Sequence, residues 1–275
     1  MPDGWRIMAL DTGTSELEQS MLTYAVGFGR TARIPRVMWL LQGPTTVVID
    51  TSVPMHGRSN EFIGEDFSRS AAQEPANALR DAGVDPKDVE LVVLTHLHWD
   101  HAGNCDLFPD ARVLVQQAEL RYAGAPGRFF RKSFLAPGSG WPTPPYLMPN
   151  LETVDGETEL APGLRLVPAP GHTPGSQAAI VDTDLGSFCI AGDAISTYAN
   201  IEQDIPPGFH VSVDDSVDSM DRLRTQADHF LPSHDYEVLS GGLITQIGLS
   251  HAARPRFVAP PVVPWDTERM TGPMS

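Results

Sequence analysis

Basic residues are scarce in this sequence: 19 lysines and arginines stand against 35 aspartates and glutamates, a formal net charge of −16 at pH 7. A phosphate backbone is gripped by clustered cations, so the shortage speaks against a nucleic-acid partner. An anionic membrane surface is disfavoured for the same reason. No run approaches the roughly 18 apolar residues of a membrane span. The opening Met1-Pro2-Asp3-Gly4 shows no basic region leading into an apolar one, so no secretory signal is expected. Cysteine is almost absent, with only Cys105 and Cys189, and a reduced cytoplasm is the expected setting. Hydrophobic content of 41% and charged content of 20% are ordinary for a globular chain. At 275 residues it can bury a sizeable core. With no internal repeat and no clear linker, a single domain over residues 1–275 is expected.

Against that plain background one stretch stands out, Thr95-His96-Leu97-His98-Trp99-Asp100-His101-Ala102-Gly103. It packs three imidazoles and a carboxylate into six positions, directly after the apolar residues 91–94, which read as a buried strand. No helical phase puts residues 96, 98, 100 and 101 on one side, but a strand end opening into a turn can gather them. Neutral imidazole and carboxylate are ligands of zinc and its first-row neighbours. Three further candidates each follow an apolar run: His172 after residues 164–168, Asp193 after 188–192, and His234 after 230–233. Seven ligands exceed the needs of one tetrahedral ion and suit two ions sharing a carboxylate and a water.

The His-x-His-x-Asp-His run, the His of Gly171-His172-Thr173-Pro174-Gly175, the Asp after Gly192 and the late His234 resemble the metallo-β-lactamase superfamily. The resemblance covers roughly residues 35–240. It implies an αβ/βα sandwich of two mixed β-sheets flanked by helices, with two divalent metal ions, zinc in the first instance, at one edge. It also implies a partition: His96, His98 and His172 on one ion, Asp100, His101 and His234 on the other, and Asp193 bridging.

The order of elements fits such a fold. Residues 5–10 read as a first strand ended by Asp11-Thr12-Gly13. Residues 36–41 and 45–50 form a β-hairpin across Gln42-Gly43-Pro44. Asp50 has two readings, a strand-ending turn residue or, by the resemblance, a support for the metal-binding histidines. Residues 69–82 carry helical signals closed by Gly83. A strand is expected at 112–115, a helix at 116–122, and further strands at 151–154, 164–168, 176–181 and 187–191. Asp214 is placed to cap a helix carrying Val217, Met220 and Leu223 inward. The Pro/Gly-rich stretch at about 124–150 holds Phe129, Phe130, Phe134, Trp141 and Tyr146. It reads as a pocket wall or lid, with a surface loop or subunit contact as the alternative. The Pro-rich tail at about 254–275 is expected on the surface or on a partner subunit, so a homodimer is one expectation. Cys105, His56 and His210 are lesser site candidates, Cys189 reads as a small buried hydrophobe, and His229 and His251 as solvated or capping residues.

Two close cations bring the pKa of a shared water towards neutrality, so the hydroxide between them can attack a carbonyl. One ion can also bear the developing oxyanion. Asp100 is the natural proton shuttle. Within the resembling superfamily, Asp193 stands where the lactam-hydrolysing branch carries a thiolate. His98 stands where flavin-linked di-iron enzymes carry Glu. The tail offers only Arg254, Arg256 and Arg269 for gripping glutathione. The chain is most similar to the N-acyl homoserine lactonase-like branch, which implies a hydrolase acting on a small-molecule lactone or ester. Those lactonases place a Tyr three residues after the bridging Asp. Here that position is Ser196, and Tyr198 is the nearest candidate for the catalytic hydroxyl. The departure keeps other substrates open: a pyridoxolactone-like ring, another ester, thioester or amide, or a β-lactam. A mononuclear-iron oxygenase resembling the persulfide dioxygenases is the other chemistry to weigh. Phe134, Trp141 and His210 are the expected substrate-pocket residues.

Overall fold

A computed structural model describes residues 4–54, 66–136 and 143–239, and the backbone of 254–255. Its first sheet holds β1 (Arg6–Glu18), β2 (Thr31–Gln42), β3 (Thr46–Ile49), β4 (Asp66–Ser68), β5 (Leu91–Val93), β6 (Arg112–Gln116) and β7 (Leu151–Val154), in the order β4-β1-β2-β3-β5-β6-β7. The second holds β8 (Thr158–Ala161), β9 (Leu164–Pro168), β10 (Gln177–Thr183), β11 (Gly186–Ile190), β12 (His229–Leu231) and β13 (Arg254–Pro255), in the order β13-β12-β11-β10-β9-β8. Both sheets are mixed. β3, β5, β6 and β7 run parallel in the first, and β11 and β12 run parallel in the second.

Residues alternate along a strand, so each sheet has two faces to cover. Trp39, Leu41, Ile49 and Val93 of the first sheet meet Leu166, Ala179, Phe188 and Leu231 of the second in one buried cluster. Their neighbours Met38, Leu40, Val48 and Val92 point the other way, into a cluster with Leu79 of helix α1 (Pro75–Asp81) and Ala123 of α2 (Gln117–Gly124). On the far side, Val167, Ile180, Cys189 and Phe230 pack against Met220 and Leu223 of α4 (Val213–Arg224), after the short α3 (Tyr198–Glu202). This is the αβ/βα sandwich of two mixed sheets. Strands buried on both faces explain why residues 37–41 and 91–94 read as unbroken apolar runs. Each fully buried Val, Leu or Ile contributes about 1.5–3 kcal/mol relative to exposure.

Several local expectations need correction. Asp11-Thr12-Gly13 does not end the first strand. β1 continues to Glu18 through a register shift between Asp11 and Thr14, and the Thr12 hydroxyl donates to the Arg36 carbonyl. A polar triplet reads as a turn only while its buried partners are unknown. The 69–82 segment is split at Pro75, which lacks an N–H and so opens α1 after a separate 3-10 turn at Ala71–Gln73. Ser212, not Asp214, caps α4, and Val217 faces solvent while Ser216, Ser219, Met220 and Leu223 are buried. His229 is buried in β12 against Phe188 instead of solvated.

Candidate metal centre

Every candidate ligand follows the carboxyl end of a strand, where loops of the two sheets meet. The loop after β5 turns at once, with the His101 and Ala102 amides donating to the His98 carbonyl at 3.0 and 2.9 Å. His172 follows β9, Asp193 lies in a 3-10 turn after β11, and His234 follows β12. Gly192, at φ +52°, brings that turn so close to Thr95 that a Cβ would lie 2.7 Å from its side chain.

Four imidazoles are oriented from behind. His172 Nδ1 donates to the Phe209 carbonyl at 2.6 Å, His234 Nδ1 to the Pro35 carbonyl at 3.2 Å, and His101 Nδ1 to Asp50 Oδ2 at 2.7 Å. The Thr95 hydroxyl donates to Asp50 Oδ2 at 2.9 Å, leaving its oxygen to accept from His96 Nδ1 at 3.1 Å. In the neutral rings these contacts leave the Nε2 lone pairs facing inward. His172 Nε2 lies 3.2 Å from His96 Nε2 and 2.9 Å from His98 Nδ1. His101 Nε2 is buried with no hydrogen-bond partner and lies 3.5 Å from Asp100 Oδ2.

The donor atoms gather into three groups, each within 4.8 Å: His96, His98 and His172; His96, His101 and Asp193; Asp100, His101 and His234. Asp193 faces two ways. Its Oδ2 is 3.4 Å from His172 Nε2, while its Oδ1 is 3.2 and 3.1 Å from His101 and His234 Nε2. Burial, then the neighbouring imidazoles, holds His96 and His98 well below the ordinary imidazole value. Burial opposes ionisation of Asp193, yet His234, His101 and His172 hold its carboxyl well below the usual range. Burial likewise opposes a charge on His101, but Asp193, Asp100 and Asp50 draw a proton onto it. Inward lone pairs, ionised carboxylates and an unpartnered ring nitrogen among them fit divalent ions.

Two carboxylates steady this set from outside. Asp50, at φ +61°, accepts the Thr95 amide at 2.8 Å as well as the two side chains above, so the support reading applies to it. Glu119, in the first turn of α2, accepts from Leu97 and Gly175 amides and the Thr173 hydroxyl. Burial pushes its carboxyl up to about 7, against the pull of those three donors. Arg36, buried in β2, donates from Nε to Ser15 at 3.0 Å and from Nη1 to Asp100, with its guanidinium 5.0 Å from the Trp99 ring centre. Sequence reasoning passed over both Arg36 and Glu119. A charge at the head of the apolar run 37–41 was a signal for Arg36; Glu119 offered none.

Residues 33–234 match the metallo-beta-lactamase superfamily. The chain belongs to that superfamily. It is 27% identical over 232 residues to an N-acyl homoserine lactonase of Bacillus thuringiensis, covering 80% of this chain and 87% of the relative. It is 35% identical over 165 residues to the N-acyl homoserine lactonase AttM of Rhizobium radiobacter, 58% of this chain and 60% of that protein. Among solved structures it is similar to a mutant of B. thuringiensis AiiA with N-decanoyl-L-homoserine bound, at TM-score 0.73 and 23% identity over 86% of this chain and 95% of that one. It is also similar to AidC, a dizinc quorum-quenching lactonase, at TM-score 0.66 and 15% identity over 94% and 97%.

In this metallo-β-lactamase-fold chain the ligand set opens into a cleft of about 160 Å³. Leu17, Met21, Leu22, Ile34 and Phe209 give the cleft apolar lining, and Arg36, Lys132, Ser133 and Ser196 add polar groups. Not every expected pocket residue is there. Phe134 is buried behind the site, its ring 4.6 Å from that of His98, and the Tyr146 hydroxyl donates to the Phe134 carbonyl. Among the described residues of the 124–150 stretch, Lys132 and Ser133 line the cleft. His210 turns away, its Nδ1 on the Pro207 carbonyl and its ring against Tyr24; its neighbour Phe209 lines the cleft instead. The structure does not bring Tyr198 to the cleft. Its hydroxyl donates to the Phe230 carbonyl at 3.1 Å, and its ring is buried in the core between the sheets. The Cys105 thiol is buried against Thr51 and the Ala102 carbonyl, pushed up to about 12 by burial, and joins none of the three ligand groups. Trp141, His56, His251 and the tail side chains lie outside the described residues.

Proposed function

We propose that this chain is a dinuclear metal-dependent hydrolase that opens a lactone ring, an N-acyl homoserine lactone or a related one, with zinc as the ion. The observation that carries the reading is Asp193, whose two oxygens face two different sets of imidazole nitrogens. The relatives named N-acyl homoserine lactonase, similar over most of the chain, support the substrate class. His96, His98 and His172 would hold one ion and Asp100, His101 and His234 the other, with Asp193 between them.

When bound, two such ions supply hydroxide from a shared water near pH 7 and polarise the scissile carbonyl. The protein supplies the rest. Asp100, which lines the cleft, passes the proton of the attacking water to the ring oxygen as the C–O bond breaks. Arg36 holds that carboxylate in place from β2. The apolar lining, Phe209 included, selects substrate by shape and buried area. An oxygenase with a single iron would need only His96, His98 and His172, and would leave the gathering of Asp100, His101 and His234 without use.

Elemental analysis should find two ions per chain. Chelation should abolish hydrolysis across a panel of lactones, esters and β-lactams, and added Zn should restore it, lactones first. Full activity in metal-free protein would overturn the reading, and one iron per chain would favour the oxygenase.

A further inference from the structure

Glu119 is a fully buried carboxylate that the proposed chemistry does not use. Its Oε1 accepts the amide of Leu97, the residue between His96 and His98, at 2.9 Å. Its Oε2 accepts the Thr173 hydroxyl at 2.7 Å and the Gly175 amide at 3.1 Å, just beyond His172. One side chain therefore spans two loops that belong to different sheets. Gly175 makes the approach possible, because a Cβ there would lie 2.0 Å from the Glu119 backbone nitrogen.

We infer that Glu119 is a positioning residue for one ion, fixing the spacing between the His96–His98 loop and the His172 loop. The inference rests on the dinuclear reading above. His172 Nε2 lies 3.2 Å from His96 Nε2 and 2.9 Å from His98 Nδ1, so three ring nitrogens crowd one point where at most a shared imidazole proton draws the trio together before an ion arrives. Glu119 holds them there in advance, and a preformed site binds more tightly than one the ion must assemble. Its three hydrogen bonds all go to these two loops, and none goes to Asp100, His101 or His234. The effect should therefore be larger on the ion held by His96, His98 and His172, whose ligands lie on both of the tied loops.

Glu119→Gln is the informative change. A carboxylate has an acceptor oxygen for each loop, whereas a glutamine amide has one oxygen and one NH2. Whichever way it turns, a backbone N–H of one loop, Leu97 or Gly175, faces a donor. Thr173→Val removes one of the same bonds with little change in shape, and it tests the tie even where Glu119→Gln does not fold.

The experiment is zinc titration of metal-free protein against a competing chelator, with the step lost in His172→Ala marking the ion in question. In Glu119→Gln that step should weaken about 10- to 100-fold, the scale for groups behind metal ligands, and the other step should stay within about 2-fold. Thr173→Val should weaken the same step, and by less when added to Glu119→Gln than alone. Wild-type protein that takes up two zinc ions, with variants in which neither step moves or both move together, overturns this inference alone. Wild-type protein that takes up no zinc overturns the dinuclear reading and this inference with it.

Discussion

The guanidinium of Arg36 closes on the carboxylate of Asp100 from 64 residues earlier in the chain. Side-chain exposures of 3% and 9% leave little water to stand in for either partner. Burial opposes a charge on Asp100, but Arg36 and then His101 hold its carboxyl well below the usual range. Arg36 thus decides how a proposed metal ligand and proton carrier is presented.

Replacing Arg36 should therefore cost activity without touching a ligand. Arg36→Met takes the guanidinium away from Asp100, and in the metal-free protein losing one partner of a buried pair costs about 3–5 kcal/mol. Arg36→Lys should not rescue it, because the ammonium cannot serve Ser15 and Asp100 at once while lying flat near Trp99. Both variants should lose at least about 10-fold in kcat. Wild-type kcat in Arg36→Lys would show that only the charge matters.

Asp100→Asn keeps the size of the side chain but removes a ligand oxygen's charge and the proton carrier. Turnover should fall at least about 100-fold. Steady-state kinetics with ion content measured on the same sample checks this. A variant with both ions and normal turnover would take Asp100 out of the mechanism.

Phe209 and Tyr198 should separate substrate choice from support. Phe209 lines the cleft, so Phe209→Ala should raise KM or shift lactone preference, by about 5- to 150-fold in kcat/KM if 1–3 kcal/mol of burial is lost. The backbone carbonyl that holds His172 remains in that variant. Tyr198→Phe deletes a hydroxyl that touches a core carbonyl, so it should cost about 1 kcal/mol of stability and leave kcat unchanged. A fall in kcat at constant stability would return Tyr198 to the site.

Glu119 should also make the metal-free protein sensitive to pH. Its folded value of about 7 lies above that of an unfolded glutamate, so between the two the native state holds the extra proton. Stability from this group is full at low pH and is lost as pH rises through about 7. Urea unfolding from pH 5 to 8 should show the wild type losing stability relative to Glu119→Gln, by at most about 3 kcal/mol. A constant difference would mean Glu119 keeps one protonation state throughout.

The seven candidate ligands and most of the strands were legible in the sequence because both are local signals, and the layered fold followed from the family resemblance those ligands carry. A His-x-His-x-Asp-His run needs only adjacent residues, and apolar runs such as 37–41 and 91–94 report strands buried on both faces. Asp50 could be narrowed to two readings, since its φ of +61° and its contacts with Thr95 and His101 are invisible until the loops meet.

What the sequence supplied alone is the inventory of candidate ligands, most of the strands that carry it and the superfamily it belongs to. Tertiary structure decided which side chains surround that inventory. It turned Tyr198 and His210 away, set Phe134 behind His98, and brought Phe209 into the cleft. It also joined Arg36 to Asp100 and Glu119 to Leu97 and Thr173 across distant parts of the chain. The physical reason is that a metal ligand is marked by its chemistry, whereas a supporting residue is marked only by the partner it meets, and that meeting exists only after the two sheets pack.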